Sequence, residues 1–215
     1  MTGSTFGVTE ELREEWLRLG SATLYEASRL ECWLPPTLRP LWSGSAVVGP
    51  ALPVRVHPGD NLALHMALEV VRPGEVIVAD GGSAPHGYWG EVLTVAAMTA
   101  GVAGLVLDGG VRDSDSIEML RFPVFSSAIA LRGTAKVNPG AVGEPIMLGP
   151  TTIRRGDLVV GDRDGVVVVP AGLVGQLLEA SRARVTKEAA FLEEIREGAL
   201  TLDLYDLRRK PSSSL

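Results

Sequence analysis

A single cysteine, Cys32, occurs in the chain, which rules out an intrachain disulfide and a structural zinc site built on cysteines. Its simplest place is as a small apolar side chain in a core. Lysine is almost as scarce: Lys136, Lys187 and Lys210 are the only ones. The formal net charge is -6 and no run of Lys or Arg forms a basic patch, so nucleic acid is not expected as a partner. No apolar run approaches the ~20 residues of a bilayer-spanning helix, and the N-terminus opens without a basic segment leading into an apolar one. A soluble cytoplasmic protein with no membrane partner is expected. Gly81-Gly82 lies in no GxGxxG pattern, which argues against a dinucleotide site.

The apolar fraction of 46% is enough to fill the core of one compact domain. Thr9 followed by Glu10 and Glu11 reads as a helix cap with acids in the first turn. The pattern Leu12, Trp16, Leu19 stops at Gly20, and a second short helix is expected over Ser21 to Arg29. Pro35 to Trp42 reads as an extended connector, and Ala46 to Val56 as strands broken around Gly49-Pro50. Asp60 is placed to cap a helix from Asn61 to Val71. Glu75 to Ala79 as strand, a loop over 80–90, Glu91 to Ala100 as helix and Gly104 to Leu107 as strand then form a βαβ unit. Its parallel strands bring loop 80–90 and loop 108–112 to the same edge of the sheet.

A helix near Asp113 to Asp115 and a strand at Pro123 to Phe125 follow. Segment 141–170 is rich in strands, with Arg163-Asp164-Gly165 as a tight turn. Beyond Pro170 a helix runs to about Arg196, with Leu177, Leu178, Val185, Phe191, Leu192 and Ile195 as its apolar stripe. The expected organisation is N-terminal helices over 1–30 packed on an α/β core over 31–170, a C-terminal helix over 171–197, and a partly disordered tail over 198–215.

The chemistry concentrates in Gly90-Glu91-Val92-Leu93 and in Arg112-Asp113. The topology lets Glu91, at the first turn of a helix, converge with Arg112 and Asp113 leaving the neighbouring strand. The helix N-terminus at Gly90, Glu91, Val92 and Leu93 offers unpaired N–H groups to a carboxylate, and Arg112 adds a planar fork. Two acids nearby suit a hard divalent cation that keeps several waters. This set suits a 2-oxo acid, whose charge in C–C cleavage a Lewis acid would stabilise. A Schiff base is less attractive, because none of the lysines lies in this constellation. From spacing alone, Glu91 equally suits a helix's first turn, Asp113 a cap, and Arg112 a partner for either.

The phrases Pro58-Gly-Asp-Asn61, Arg72-Pro-Gly-Glu-Val-Ile-Val-Ala-Asp80, Trp89-Gly-Glu-Val-Leu93, Gly104-Leu-Val-Leu-Asp-Gly-Gly-Val-Arg-Asp113 and the run from Arg155 to Pro170 go further. From about Ser21 to Pro170 the chain resembles the family of 4-hydroxy-4-methyl-2-oxoglutarate and 4-carboxy-4-hydroxy-2-oxoadipate aldolases, which includes the ribonuclease E activity regulator A proteins. The resemblance implies an α/β fold of layered β/β/α swivelling type, a homotrimer or homohexamer, and a Mg2+ or Mn2+ site between subunits. It implies that Asp113 ligates the metal directly and that Glu91 acts through metal-bound water, where the well-studied aldolases have aspartate. Arg112 would contact pyruvate, with the amides of Gly90 to Leu93 as the matching binding segment. The implied reaction is cleavage of a 4-hydroxy-2-oxo diacid to pyruvate and a second oxo acid, with oxaloacetate decarboxylation as a further activity. The alternative is a non-catalytic regulator of a ribonuclease.

Other candidates are His86, in the loop bordering this stretch, which could contact substrate or hold a loop hydrogen bond, and Tyr88 and Trp89, which could wall a pocket or pack the loop. His57 and His65 read as structural. Asp80 and Asp108 could orient Arg112 or metal-bound water, or simply form turns. Asp162 and Asp164 read as hairpin turn residues.

Overall fold

A computed structural model describes residues 9–209. The helices are α1 (Glu10–Ser28), α2 (Leu62–Val70), α3 (Glu91–Thr99), α4 (Ser114–Met119), α5 (Val174–Arg196) and α6 (Thr201–Leu204). The strands are β1 (Arg39–Pro40), β2 (Val47–Arg55), β3 (Val76–Asp80), β4 (Gly87–Trp89), β5 (Gly104–Val111) and β6 (Val124–Ile129). They continue as β7 (Ala141–Val142), β8 (Ile146–Leu148), β9 (Thr151–Ile153), β10 (Leu158–Gly161) and β11 (Val166–Val169). The main sheet runs β1-β6-β5-β3-β2-β10-β11, with β4 added to β5 and β7 to β2, while β8 and β9 form a separate hairpin. Strands β2, β3, β5 and β6 are parallel to their neighbours in that series, and β10 and β11 antiparallel.

Alternation along the strands builds the layers. Ile77, Ala79, Leu105 and Leu107 face α2, α3 and α4, packing with Leu64, Leu93 and Ile117. Val76, Val78 and Val106 point the other way, onto Ile146, Leu148, Ile153, Val159 and Val168. The outer side of β10 and β11 is covered by α1 and α5 through Trp16, Leu24 and Leu177. This is the layered α/β architecture expected, with helices at both ends of the chain. Cys32 is buried and free, and burial pushes its thiol pKa up.

Thr9 caps α1 as expected, its Oγ1 accepting from Leu12 N at 3.2 Å. As expected, the first helical segment stops at Gly20, whose backbone is non-helical at φ 76° and ψ 158°, and a second runs on to Ser28, so α1 is two segments joined at a kink. Asp162 makes the restart possible: its carboxylate accepts from Ser21 N and Ser21 Oγ, both at 2.6 Å, as well as from Asp164 N within its own turn. β2, by contrast, is not broken at Gly49-Pro50. It changes partner there, pairing β10 through Pro50 and β3 from Ala51 onward, so Pro50 stands where one ladder ends. Asp60 does bind the first amide of α2, Leu62 N at 2.9 Å, from one residue before the cap position held by Asn61.

Glu75, fully buried, opens β3 and is paired with Arg155 in a two-pronged contact, Nε to Oε1 and Nη2 to Oε2 both at 2.9 Å. Hydrogen bonding to Glu75 raises the Arg155 pKa above its already high value. On α5 only the first turns enter the core: Leu177 is buried, whereas Val185, Leu192 and Ile195 are exposed. Phe191 meets Tyr205 edge-on at 5.2 Å, which brings the segment after α5 back against it. Within the expected tail, 201–204 is helical and Arg208 pairs with Asp203; Lys210 to Leu215 lie outside the described residues. Among the described residues no helix is long and apolar enough to cross a membrane.

Candidate active site

The βαβ unit forms with one addition. The stretch expected as loop 80–90 contains β4, which lies parallel to β5 where β3 has ended: β3 pairs Val76–Asp80 with Gly104–Asp108, and β4 pairs Gly87 with Gly110 and Trp89 with Val111. The close approach needs Gly110, because a Cβ there would press on the His86 carbonyl and, at 2.7 Å, on the Ala130 methyl. Between the two strands, residues 81–86 make an excursion held by turn bonds. Asp80 accepts from Gly82 N, and Asp108 takes both its oxygens to Ser83 Oγ at 3.0 and 2.8 Å. Both aspartates are therefore turn formers here rather than partners of Arg112.

Because β5 runs to Val111, Arg112 and Asp113 emerge directly from its end, and Arg112 N is fixed by donating to Trp89 O at 2.9 Å. Asp113 is left-handed, at φ 55°, a region few non-glycine residues occupy and Asp tolerates best. It stands at the cap position of α4, where its carbonyl accepts from Ile117 N at 3.0 Å, but its side chain makes no bond to that helix. Its Oδ2 instead accepts from Glu91 N, the first amide of α3, at 3.0 Å, and lies 3.9 Å from Arg112 Nε. The conformation thus turns the carboxylate across to the neighbouring helix. Gly90 is required by the same geometry, since a Cβ there would run into Asp113 Oδ2 and come within 3.2 Å of Arg112 Cγ.

These groups line a cleft of about 270 Å³. Gly90, Val92 and Leu93 form one side, with Arg112 and Asp113; Tyr88, Asn61, His65, Thr134 and Lys136 also border it. Glu91 contributes its backbone amide only. Its side chain is exposed, is not among the lining groups, and takes no hydrogen bond or ion pair among the described residues. His86 does not line the cleft either; its ring leans on Tyr88, centroids 5.8 Å apart. Trp89 is buried in the core, its indole N–H donating to Thr94 Oγ1 at 2.8 Å, whereas Tyr88 serves as both wall and strut, its hydroxyl accepting from Gly59 N.

Lys136 corrects the sequence reading. Twenty-odd residues separate it from Arg112, yet it lines the same cleft, so a lysine does belong to this site. Asn61 and His65 were likewise not singled out as site residues. The signal was present only in three dimensions: Asp60 Oδ2 accepts from Val137 N at 2.7 Å and Asn138 N at 2.8 Å, binding the 135–138 loop to the start of α2.

No group of three or more His, Cys, Asp or Glu side chains gathers among the described residues. A hard cation that keeps most of its waters needs only one or two carboxylates. Asp113 fits such an ion: its side chain is 42% exposed, it faces the cleft, and only Oδ2 is engaged in a hydrogen bond. Arg112 beside it and the α3 amides behind it favour an anion, so the place suits a chelating carboxylate better than a bare metal cage.

Comparison with known proteins identifies the family. Residues 21–168 match the family model described as RraA-like, Aldolase/RraA. A provisionally named 4-hydroxy-4-methyl-2-oxoglutarate aldolase of Halalkalibacterium halodurans is 36% identical over 173 residues, 80% of this chain and 82% of that protein. A crystal structure of a Pseudomonas syringae pv. tomato protein superposes with a TM-score of 0.83 at 27% identity, covering 96% of this chain and 98% of the other. RraAS2 of Streptomyces coelicolor, described as an unusual member of the RNase ES inhibitor RraA family, gives 0.74 at 30% identity, covering 87% and 98%. The chain belongs to the RraA-like family of aldolases and RraA proteins.

Proposed function

We propose that the protein is a divalent-metal-dependent lyase that cleaves a 4-hydroxy-2-oxo diacid to pyruvate and a second oxo acid. Decarboxylation of oxaloacetate would use the same site. The observation that carries this reading is the convergence of Arg112, Asp113 and the N-terminus of α3 on one cleft. The amides of Gly90, Val92 and Leu93, with Glu91 N engaged by Asp113, and the Arg112 fork bind the substrate carboxylate and hold the keto oxygen in register. Asp113 would hold a Mg2+ or Mn2+ ion directly, with Glu91 as the second acid acting through water, and the ion would supply Lewis-acid polarisation of that oxygen. As the C3–C4 bond breaks, its electron pair moves toward the keto oxygen, where the Arg112 charge stabilises it. The C4 hydroxyl gives up its proton to water and becomes the carbonyl of the second product, while C3 regains a proton from water to yield pyruvate; Glu91, whose side chain lies outside the cleft on this protomer, would take up a proton only by way of that water.

Glu91 is exposed on this protomer, which is consistent with a site completed at a subunit boundary. The exposed Val92, Met119 and Leu131 suit the same arrangement, a homotrimer or homohexamer. The similarity to RraAS2 supports a second reading, a binding protein that regulates a ribonuclease through its surface. Pyruvate release from a panel of 4-hydroxy-2-oxo acids and oxaloacetate, with and without Mg2+ or Mn2+, separates the two. Metal-dependent release from at least one member is expected; no turnover of any would favour the binding reading.

A further inference from the structure

Strand β4 ends at Trp89 and α3 begins at Glu91, with Gly90 as the one residue between them. On the strand side of this join, Trp89 O accepts from Arg112 N at 2.9 Å. On the helix side stand the amides proposed to take a carboxylate. The bend at Gly90 therefore sets the spacing between the Arg112 fork and those amides, and a residue without a side chain does little to stiffen it.

Thr94, buried on the inner side of α3, braces this bend. Its Oγ1 lies 2.8 Å from Trp89 Nε1 and 3.0 Å from Gly90 O. An indole N–H can only donate and a carbonyl can only accept, so the hydroxyl accepts from the first and donates to the second. The indole is itself fully buried and stacks on Phe122, with centroids 6.3 Å and planes 7° apart. Threonine hydroxyls that bond back one turn are ordinary in helices, and Thr99 and Thr186 do so here, to Val95 O and Arg182 O. Those two are exposed, and their hydroxyls take no second partner among the described residues. Thr94 differs in reaching a side chain of the strand before its helix.

We propose that Thr94 is a positioning residue for the cleft: its hydroxyl straps the Trp89 indole to the first turn of α3 and so sets the spacing between Arg112 and the α3 amides. This rests on reading those groups as a 2-oxo acid site. Thr94 does not line the cleft and touches no substrate. Without its hydroxyl the buried indole N–H has no acceptor, and Trp89 shifts with the carbonyl that holds Arg112.

The test is calorimetric titration of pyruvate in Mg2+ into the parent, Thr94→Val, Thr94→Ser and Thr99→Val. Valine keeps the shape of threonine and removes the hydroxyl, whereas serine keeps the hydroxyl. Thr94→Val should bind pyruvate about tenfold or more weakly, the value of one charge-assisted bond, while Mg2+ affinity changes by less than about threefold. Thr94→Ser should recover most of the loss, and Thr99→Val should match the parent. Unchanged pyruvate affinity in folded Thr94→Val, whatever its melting temperature, would overturn the proposal, because the strap would then serve stability alone. So would an equal loss in Thr94→Ser. A parent that binds no pyruvate would count against the 2-oxo acid reading instead, and the strap is then judged in ligand-free protein by nuclear magnetic resonance. The backbone amide signals of Arg112 and Glu91 should move in Thr94→Val and stay in place in Thr94→Ser; signals that stay in place in both would overturn the strap.

Discussion

In the proposed reaction Arg112 is the residue on which substrate recognition turns, through its planar fork and not its charge alone. Arg112→Lys keeps the charge but replaces a two-pronged donor with a flexible point charge. Loss of one charge-assisted hydrogen bond is worth roughly 1.5–3 kcal/mol, so kcat/KM should fall by about ten- to a hundredfold. Pyruvate inhibition should weaken in parallel while metal affinity changes far less. Unchanged pyruvate inhibition would return Arg112 to the role of a structural partner for Asp113. Arg112 and Asp113 were legible in the sequence because they are adjacent and follow a buried strand whose end the βαβ pattern locates. Lys136, Asn61 and His65 were not, because the bonds from Asp60 that bring them to the cleft join segments with no shared spacing or motif.

Between elements, the contact of α3 with the end of β5 is tight enough to be tested by one methyl group. Gly90 has an extended backbone, φ −157°, that any residue can adopt, so Gly90→Ala acts through its Cβ and not through strain. That atom would displace the Asp113 carboxylate and the Arg112 stem, and a shift of about 1 Å at such groups costs on the order of a hundredfold in rate. A matching kcat/KM loss with a nearly unchanged melting temperature is expected; a large fall in stability with normal specific activity would contradict it. The join between α2 and the 135–138 loop has its own signature in pH. Burial would raise the Asp60 pKa, but hydrogen bonds from the Leu62, Asn138 and Val137 amides and the Asn138 side chain outweigh it and bring it to about 2. An unfolded Asp titrates near ~3.9, so the stabilisation is complete above about pH 4 and is lost as pH falls toward 2. Acid unfolding curves of the parent should steepen through that window, and Asp60→Asn should flatten them; identical curves would show that Asp60 ties nothing together. At this scale the long periodic elements could be read from sequence. β4, three residues with a register shift, could not, and neither could the bond from Ser21 to Asp162 that ties the second segment of α1 to a distant turn.

For the molecule as a whole, the layers and the order of the sheet follow from alternation, but what covers the outer surface of α3 does not. Val92, which borders the cleft on α3, is 80% exposed, and Met119 at the end of α4 76%. Such a surface is expected to be buried by further copies of the chain. Light scattering coupled to gel filtration should give three or six protomers per particle, and Val92→Asp with Met119→Asp should dissociate it and reduce turnover together; a monomeric parent would contradict the assembly. The central claim, that Asp113 and Arg112 form a metal-dependent 2-oxo acid lyase site, is tested most directly by pyruvate release from 4-hydroxy-4-methyl-2-oxoglutarate after chelation and metal return. The parent should lose activity in EDTA and recover it with Mg2+ or Mn2+, and folded Asp113→Ala should recover none. Turnover that survives chelation, or that metal restores equally in Asp113→Ala, would contradict the account.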